Sequence, residues 1–358
     1  MPVWMKINFS TVMEDKEKKN VVSAGDNLTD YMETVIADLE KEGKFPAAHV
    51  YRSVLRSFTR FWNTPVSMRS DPTSVPNVLA PIQDVFTPER LKEYETWLTE
   101  CECSPNTIST YMRTLQAVYN RWMPPGMVDY NPILFKELYT KVESRTKRAL
   151  TAGQMRQLET TEFCALSLPQ QRVLACFMLM FMLRGMPFID LAHLRKQNLQ
   201  GRRIVYRRHK TGKLMVVDVP PDAFRLLQKY RNRAESEYLF PILNEASPGK
   251  ERYHLYQDTL RRFNRELARL MKKLLPGVSV SSYTARHTWA TLAYHSGTPL
   301  GLISQSLGHS SIRVTMGYLK PFDAEVIDKV NRQVIALVKG SKKKKVDSIN
   351  MLYGTLLR

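Results

Sequence analysis

The stretch SSYTARHTWATLAYHSGTPLGLISQSLGHSSIRVTMGYL, residues 281–319, decides how this chain is interpreted. It places Arg286 directly before His287, ends the tripeptide LGH at His309, and carries Tyr318 nine residues after that histidine. An arginine binds phosphate oxygens through a planar fork of N–H donors, a histidine donates hydrogen bonds or transfers a proton, and a tyrosine hydroxyl can attack phosphorus. The set predicts phosphodiester chemistry on DNA.

The pair Arg286-His287, the LGH tripeptide and Tyr318 resemble the catalytic signature of tyrosine recombinases, also called phage integrases. The resemblance covers roughly residues 150–335 and is weaker before them. It implies a mainly helical fold with a small β-hairpin or sheet, that is, an α+β arrangement. A SAM-like helical DNA-binding domain would precede a tyrosine recombinase catalytic domain.

Charge points to a polyanionic partner. The chain of 358 residues has a formal net charge of +19 and a pI near 9.8, which favours double-stranded DNA. The longest apolar run, residues 173–183, is too short to cross a bilayer and predicts a buried core helix. We therefore expect no membrane association.

Cysteine usage indicates a reduced compartment. Cys101, Cys103, Cys164 and Cys176 lack paired metal-ligand spacing, and no secretory signal opens the chain. We expect a cytoplasmic protein with neither disulfides nor structural zinc, and the resemblance implies no metal or other cofactor.

Five segments are predicted along the chain. Residues 1–20 form an N-terminal segment, 21–140 the SAM-like core-binding domain, 141–150 a linker, 151–338 the catalytic domain and 339–358 a basic tail.

Helical periodicity dominates the N-terminal half. Residues 28–62 predict two helices with a break at 43–46, and residues 65–81 an irregular loop. Thr87 and Ser104, each followed by proline, predict the caps of two more helices.

In the C-terminal half the period changes to that of strands. Residues 203–206 and 215–219 are β-rich and flank the polar turn 209–213, which predicts a hairpin. The resemblance places in that turn a lysine that protonates the leaving 5′-oxygen. Lys210 is the first choice for it, and Lys213 the substitute.

Basic hairpin tips also serve as simple phosphate anchors. For this reason Lys213, Arg207 and Arg208 are predicted to bind DNA, and the same reading stays open for Lys210.

Each site residue has an ordinary alternative. Tyr318 is the predicted nucleophile or a packed helix aromatic, and Arg286 binds the scissile phosphate or forms a surface ion pair. His309 donates to a non-bridging oxygen or caps a helix. His287 supports the site.

Two departures from the family pattern matter. Tyr283 stands where the family usually carries a histidine or lysine, and its hydroxyl cannot act as a cation. Aligning Asp190 with the family acid puts Pro187 at the position of the first arginine, so we predict that Arg184 supplies the missing guanidinium. Asp190 orients an arginine or caps a helix.

Together these features predict a site-specific DNA recombinase of the tyrosine class, an integrase or invertase, acting as a homo-tetramer on DNA with possible accessory DNA-bending proteins. An apolar stripe in residues 327–338 predicts a terminal helix that docks on a neighbouring protomer or on its own domain. Two alternatives stay open: a catalytically silent DNA-binding relative, and a basic helical protein that coats nucleic acid without sequence preference.

Overall fold

The computed structural model of the chain describes residues 27–64, 79–141, 149–243 and 249–338. The chain divides into two compact units, Met1–Glu143 and Ser144–Arg358. The predicted N-terminal segment and basic tail, and most of the predicted linker, lie outside the described residues. The domain limits proposed from the sequence stay predictions.

The first unit is helical. Its helices are α1 (Leu28–Lys41), α2 (Phe45–Asn63), α3 (Ile82–Val85), α4 (Pro88–Glu100) and α5 (Pro105–Trp122). The predicted break between the first two helices is confirmed at Gly43, where φ is +71°. The hydroxyls of Thr87 and Ser104 accept hydrogen bonds from the backbone N–H three residues later, which confirms both predicted caps. Helix α3 was not predicted, and most of the predicted loop before it, residues 65–78, lies outside the described residues.

Aromatic side chains fill the core of the first unit. Phe58 packs edge-on against Tyr94 with ring centroids 4.8 Å apart, and both rings are fully buried. The Tyr94 hydroxyl donates to Ser57 Oγ at 2.8 Å, so its polar end is paired as well as buried.

The second unit is a larger helical body with one small sheet. Its elements are α6 (Ala152–Glu159), α7 (Leu168–Met182), α8 (Phe188–His193), β1 (Leu199–Gln200), β2 (Arg203–Arg207), β3 (Leu214–Asp218), α9 (Pro221–Tyr230), α10 (Lys250–Leu274), α11 (Thr284–His295), α12 (Leu300–Ser306), α13 (Ile312–Met316) and α14 (Ala324–Val338). Single turns of 3₁₀ helix lie at Phe163–Ala165 and Lys196–Asn198.

Helix α7 is the centre of this unit. It corresponds to the predicted buried core helix, and its residues 174–175 and 177–180 are buried. Helices α9, α10 and α11 pack against it. A helix that is apolar on nearly every side requires such a covering on all its faces.

The sheet contains the predicted hairpin. Strand β2 pairs antiparallel with β3, with Tyr206 opposite Met215, and a two-residue strand β1 pairs with β2 on its other edge. Alternation along β2 buries Ile204 and Tyr206. Continued by two residues, the same alternation buries Arg208.

Helix α14 is amphipathic, yet none of its residues is buried. Its large apolar side chains are 42% to 84% exposed. None of the helices in the described part of the chain combines the length and apolar character that a bilayer crossing needs.

Candidate active site

Arg286 lies at the centre of the site, in the first turn of α11, and is 2% exposed. Its Nη1 donates to the carbonyl oxygen of Gly185 at 2.8 Å, and its Nη2 to that of Leu307 at 2.5 Å. Burial, and then the positive charge of Arg208, lower the pKa of Arg286. The alternative of a surface ion pair is therefore wrong for this arginine.

Two glycines allow the backbone to pass close to arginine side chains of the site: Gly185 lies against Arg286, and Gly308 lies against Arg208. Gly185 has φ +65°, and a Cβ there would lie 3.0 Å from the Cα of Arg286. Gly308 has φ +66°, and a Cβ there would lie 2.8 Å from Met215 Sδ and 2.9 Å from Arg208 Cδ. Any side chain at either position would push the site apart.

The hydrogen bonds of His309 fix its tautomer. Its Nε2 lies 3.0 Å from Arg286 Nη2, and since arginine only donates, Nε2 is the acceptor. Its Nδ1 then donates to Thr315 Oγ1 at 2.9 Å. Burial, followed by the charges of Arg286 and Arg208, lowers the pKa of His309 to about 4. The imidazole is thus neutral near pH 7.

Tyr318 follows α13 and so lies outside any helix, although its side chain is partly buried against the cluster of Ala290, Ile303, Leu307 and Leu319. Its ring stacks on His309, with centroids 4.9 Å apart and an interplanar angle of 28°. The guanidinium carbon of Arg286 lies 5.4 Å from the centre of the same ring. His287 donates from Nδ1 to the Tyr318 carbonyl oxygen at 3.1 Å. Histidine and arginine side chains therefore surround the tyrosine.

Tyr283 contacts the hydroxyl of that tyrosine directly. The two hydroxyl oxygens lie 2.5 Å apart, and the rings have centroids 5.8 Å apart. Partial burial of Tyr283, and then its hydrogen bond to Tyr318, raise the pKa of Tyr283. Tyr283 therefore keeps its proton at neutral pH.

Arg208 brings a second buried guanidinium to the site from the end of the hairpin strand. It is 7% exposed, and its Nη1 donates to the carbonyl oxygen of Gly308 at 2.9 Å. Its Nε lies 3.7 Å from Asp190 Oδ2, while Asp190 Oδ1 accepts from the backbone N–H of His209 at 2.8 Å. The cap of α8 is Pro187, so Asp190 faces an arginine and does not cap that helix.

The predicted lysines lie in the exposed turn between β2 and β3. Both Lys210 and Lys213 contribute to the low pKa of His309, which indicates that their charges lie near the site. Arg207 points elsewhere, since its Nη1 donates to the Gly212 carbonyl oxygen at 3.2 Å.

Arg184 has an unusual backbone for a residue other than glycine, with φ +59°. Its Nη1 donates to the carbonyl oxygen of Val216 in β3 at 3.3 Å. Among the described residues, no hydrogen bond or ring contact joins Arg184 to Arg286, His309 or Tyr318.

Sequence reasoning missed two features. Thr315, fully buried, was not singled out as the partner of His309, and nothing in the local sequence marks it. The burial of Arg208 was also missed, although the alternation of β2 continues through it.

The described residues contain no group of three or more His, Cys, Asp and Glu side chains placed to hold a metal ion. The arrangement as a whole presents a tyrosine hydroxyl beside two buried guanidiniums and a neutral imidazole, with the charges of two exposed lysines nearby. Such a set binds an anion and offers it a nucleophile.

Comparison with known proteins identifies the family of the chain. The model of the phage integrase family matches residues 148–325, and that of the phage integrase SAM-like domain matches residues 27–139. The chain belongs to the phage integrase family of tyrosine recombinases.

One curated relative is the "Tyrosine recombinase XerC-like" protein of Caldanaerobacter subterraneus subsp. tengcongensis. It is 24% identical over 263 residues, which is 63% of this chain and 65% of the relative. The match thus spans just under two thirds of the relative.

Solved structures share the fold. The XerH recombinase bound to palindromic difH substrate, in its post-cleavage complex, has a TM-score of 0.56 at 16% identity and covers 83% of each chain. The Tn1549 transposon integrase with a circular intermediate DNA has a TM-score of 0.55 at 15% identity, covering 87% of this chain and 100% of that one. A lambda integrase dimer bound to a COC' core site has a TM-score of 0.54 at 15% identity, covering 82% and 95%.

Proposed function

We propose that the chain is a site-specific DNA recombinase that cleaves and rejoins duplex DNA through a 3′-phosphotyrosyl intermediate. The observation that carries the proposal is the position of Tyr318, whose ring lies against His309 and Arg286 and whose hydroxyl is hydrogen-bonded to Tyr283. A tyrosine that only filled space would not require two cationic or imidazole groups on its faces.

In the cleavage step, a bond forms between Tyr318 Oη and phosphorus while the bond from phosphorus to O5′ breaks. The tyrosine proton passes to solvent, and the leaving 5′-oxygen takes a proton from Lys210, for which Lys213 is the substitute. Arg286 neutralises the charge that builds on the non-bridging oxygens. His309, which is neutral in the chain alone, donates from Nε2 to one of these oxygens after the bound phosphate has favoured its protonation. Asp190 and His287 hold these groups in place. The phosphotyrosine preserves the bond energy, so rejoining needs no ATP or metal.

Duplex DNA is the substrate that the chain's charge favours. A net charge of +19 supports wide contact with phosphates, to which Lys213 and Arg207 contribute. The named relatives bound to DNA support the same partner. We place the protein in the cytoplasm, where it would meet accessory DNA-bending proteins.

Assembly is proposed to use α14. Its apolar residues, including Ile327, Val330 and Ile335, are exposed on a helix with no buried residue. Docking of this helix on a neighbouring protomer would cover them and link four subunits on two DNA duplexes. Integration, excision and inversion all fit such a tetramer.

The test is covalent trapping. Protein expressed in cells is denatured, DNA joined to it is recovered and sequenced, and the mapped site is rebuilt as a nicked suicide duplex. The wild-type chain is expected to form an adduct at one strand position, and Tyr318→Phe none. A catalytically silent relative, which Pro187 and Tyr283 would favour, would bind the duplex and give no adduct with either protein. A coating protein would bind every sequence equally.

A further inference from the structure

We propose that Arg208 supplies the second guanidinium of the phosphate site, reaching it from the hairpin in place of the side chain that Pro187 cannot provide. The inference rests on the proposed function, because it assigns a ligand to the same phosphate. It differs from the sequence-based prediction, which gave this role to Arg184.

Arg208 lies beside the same segment of chain as Arg286. Arg286 donates to the carbonyl oxygen of Leu307 and Arg208 to that of Gly308, so consecutive residues hold the two guanidiniums. Because neighbouring Cα atoms are about 3.8 Å apart, both groups border the same short segment, which ends in His309. Arg184 has no bond to this segment, since its guanidinium contacts Val216 in β3.

The charges around Arg208 favour the binding of an anion. Arg208 lies close enough to Arg286 and His309 to lower the pKa of each. The acidic side chain next to Arg208 is that of Asp190. One of its two carboxylate oxygens, Oδ1, already accepts a hydrogen bond from the backbone N–H of His209. Two buried guanidiniums beside one carboxylate leave a net positive charge, which a phosphate diester would neutralise.

The guanidinium of Arg208 still has N–H donors that can bind a ligand. A guanidinium has five N–H groups, and that of Arg208 forms one hydrogen bond among the described residues, from Nη1 to the Gly308 carbonyl oxygen. Its Nε is shielded from solvent and lies too far from Asp190 for a hydrogen bond. Nη2 is not shielded in this way and has no partner in the described part of the chain, so a ligand can reach it.

The packing around Arg208 favours the same role. Gly308 has no Cβ, which lets the Arg208 side chain pass at a distance that any other residue would block. Arg208 is only 7% exposed. A hairpin arginine that anchored DNA by its charge alone would not need to be buried. The burial fixes where its terminal nitrogens lie, as a phosphate ligand requires.

The experiment has two parts, both on the full-length chain. The first measures covalent attachment to the mapped suicide duplex, made either with the natural scissile phosphate or with a neutral methylphosphonate. Arg208→Gln is expected to lose about 100-fold on the phosphate and to come within about threefold of wild type on the methylphosphonate, because the charge it neutralised is gone. Arg203→Ala, an exposed arginine on the same strand that pairs with Asp218, should match wild type on both duplexes.

An equal loss of Arg208→Gln on both duplexes would mean a structural role and overturn the inference, as would no loss on either. Arg184→Ala separates the competing residue: methylphosphonate rescue of that variant, without rescue of Arg208→Gln, would return the role to Arg184. Thermal unfolding and gel retardation of each variant show that it is folded and binds DNA.

The second part needs no cleavage. Inorganic sulfate is titrated into protein labelled with ¹⁵N-arginine, and the side-chain signals are followed by NMR. The Arg208 and Arg286 signals are expected to shift together with one dissociation constant. A shift of Arg286 alone would overturn the inference. If wild type formed no adduct while both signals shifted, the proposed recombinase activity would fail and the anion site would stand.

Discussion

The hydroxyl oxygens of Tyr283 and Tyr318 lie 2.5 Å apart. Tyr283, which the family resemblance aligns with a histidine or lysine, therefore contacts the proposed nucleophile directly. Burial and this hydrogen bond raise the pKa of Tyr283, so Tyr283 keeps its proton at neutral pH. In the proposed cleavage step, Tyr283 is suited to donate a hydrogen bond to the attacking oxygen of Tyr318.

Tyr283→Phe should therefore slow covalent attachment by about 10-fold, since one hydrogen bond to a charged group contributes roughly 1.5–3 kcal/mol, part of which water replaces. Single-turnover formation of the adduct measures the rate. Affinity for the duplex, measured by gel retardation, should be unchanged. An unaltered rate would show that the hydrogen bond has no part in the attack.

The pKa of His309 should respond to DNA. In the chain alone burial and the nearby cations hold this pKa at about 4, and a bound phosphate adds a negative charge that favours the imidazolium. The pKa should rise on binding, so the complex takes up protons and affinity increases as the pH falls towards the bound pKa. Histidine NMR in the presence and absence of duplex checks the shift. A pKa that is the same in both states would remove His309 from the phosphate site.

Gly308→Ala should damage the site and the fold together. The left-handed backbone alone costs a residue with a Cβ roughly 1–2 kcal/mol, and the added atom would meet Met215 and Arg208. We expect a lower midpoint of thermal unfolding and a large loss of covalent attachment. Gly201→Ala is the matched control, since its φ is also positive, +61°, and it has nothing within 4 Å. It should lower the midpoint without a specific loss of attachment.

Thr315→Val should remove the hydrogen bond that orients the His309 ring. The change keeps the shape of the buried side chain and removes the oxygen that accepts from Nδ1. A buried donor without a partner costs about 1–3 kcal/mol, so the midpoint of urea unfolding should fall. Attachment should slow as the ring loses its fixed orientation. Thr315→Ser keeps the hydroxyl and should retain most of the rate.

Charge on α14 should prevent assembly. Ile327→Lys and Val330→Lys together place two charges on a face that is more than half exposed in the single chain. Stability of the monomer should be unaffected, while sedimentation of the protein with its mapped duplex should show smaller complexes than wild type. Glu325→Lys, at the start of the same helix, controls for added charge alone.

The sequence predicted the fold well where periodicity was strong. Helices α1, α2, α4, α5 and α7 and the β2–β3 hairpin follow directly from repeated apolar positions, proline and capping residues. Several elements were not predicted, and α3 and β1 are the shortest of the α-helices and strands among them. Helix α3 has four residues and β1 has two, too few to display a period of either kind.

The site was predicted in part. Residues 281–319 contain Tyr283, Arg286, His309 and Tyr318, which lie together in the structure because α11, α12 and α13 follow one another with short connections. The contribution of Arg208 depends on a contact made a hundred residues away, with the Gly308 carbonyl. No local pattern indicates such a pairing, although the alternation of β2, continued to Arg208, would have indicated that its side chain is buried.

Neutral peptide oxygens, those of Gly185 and Leu307, hold Arg286 in place, and no carboxylate among the described residues forms an ion pair with it. Folding therefore dehydrates this cation without neutralising it. An incoming phosphate therefore has no carboxylate to displace from Arg286, and its negative charge offsets that of the guanidinium. The unliganded protein accordingly keeps a buried positive charge that no carboxylate neutralises, and binding of an anion lowers the electrostatic free energy of that charge.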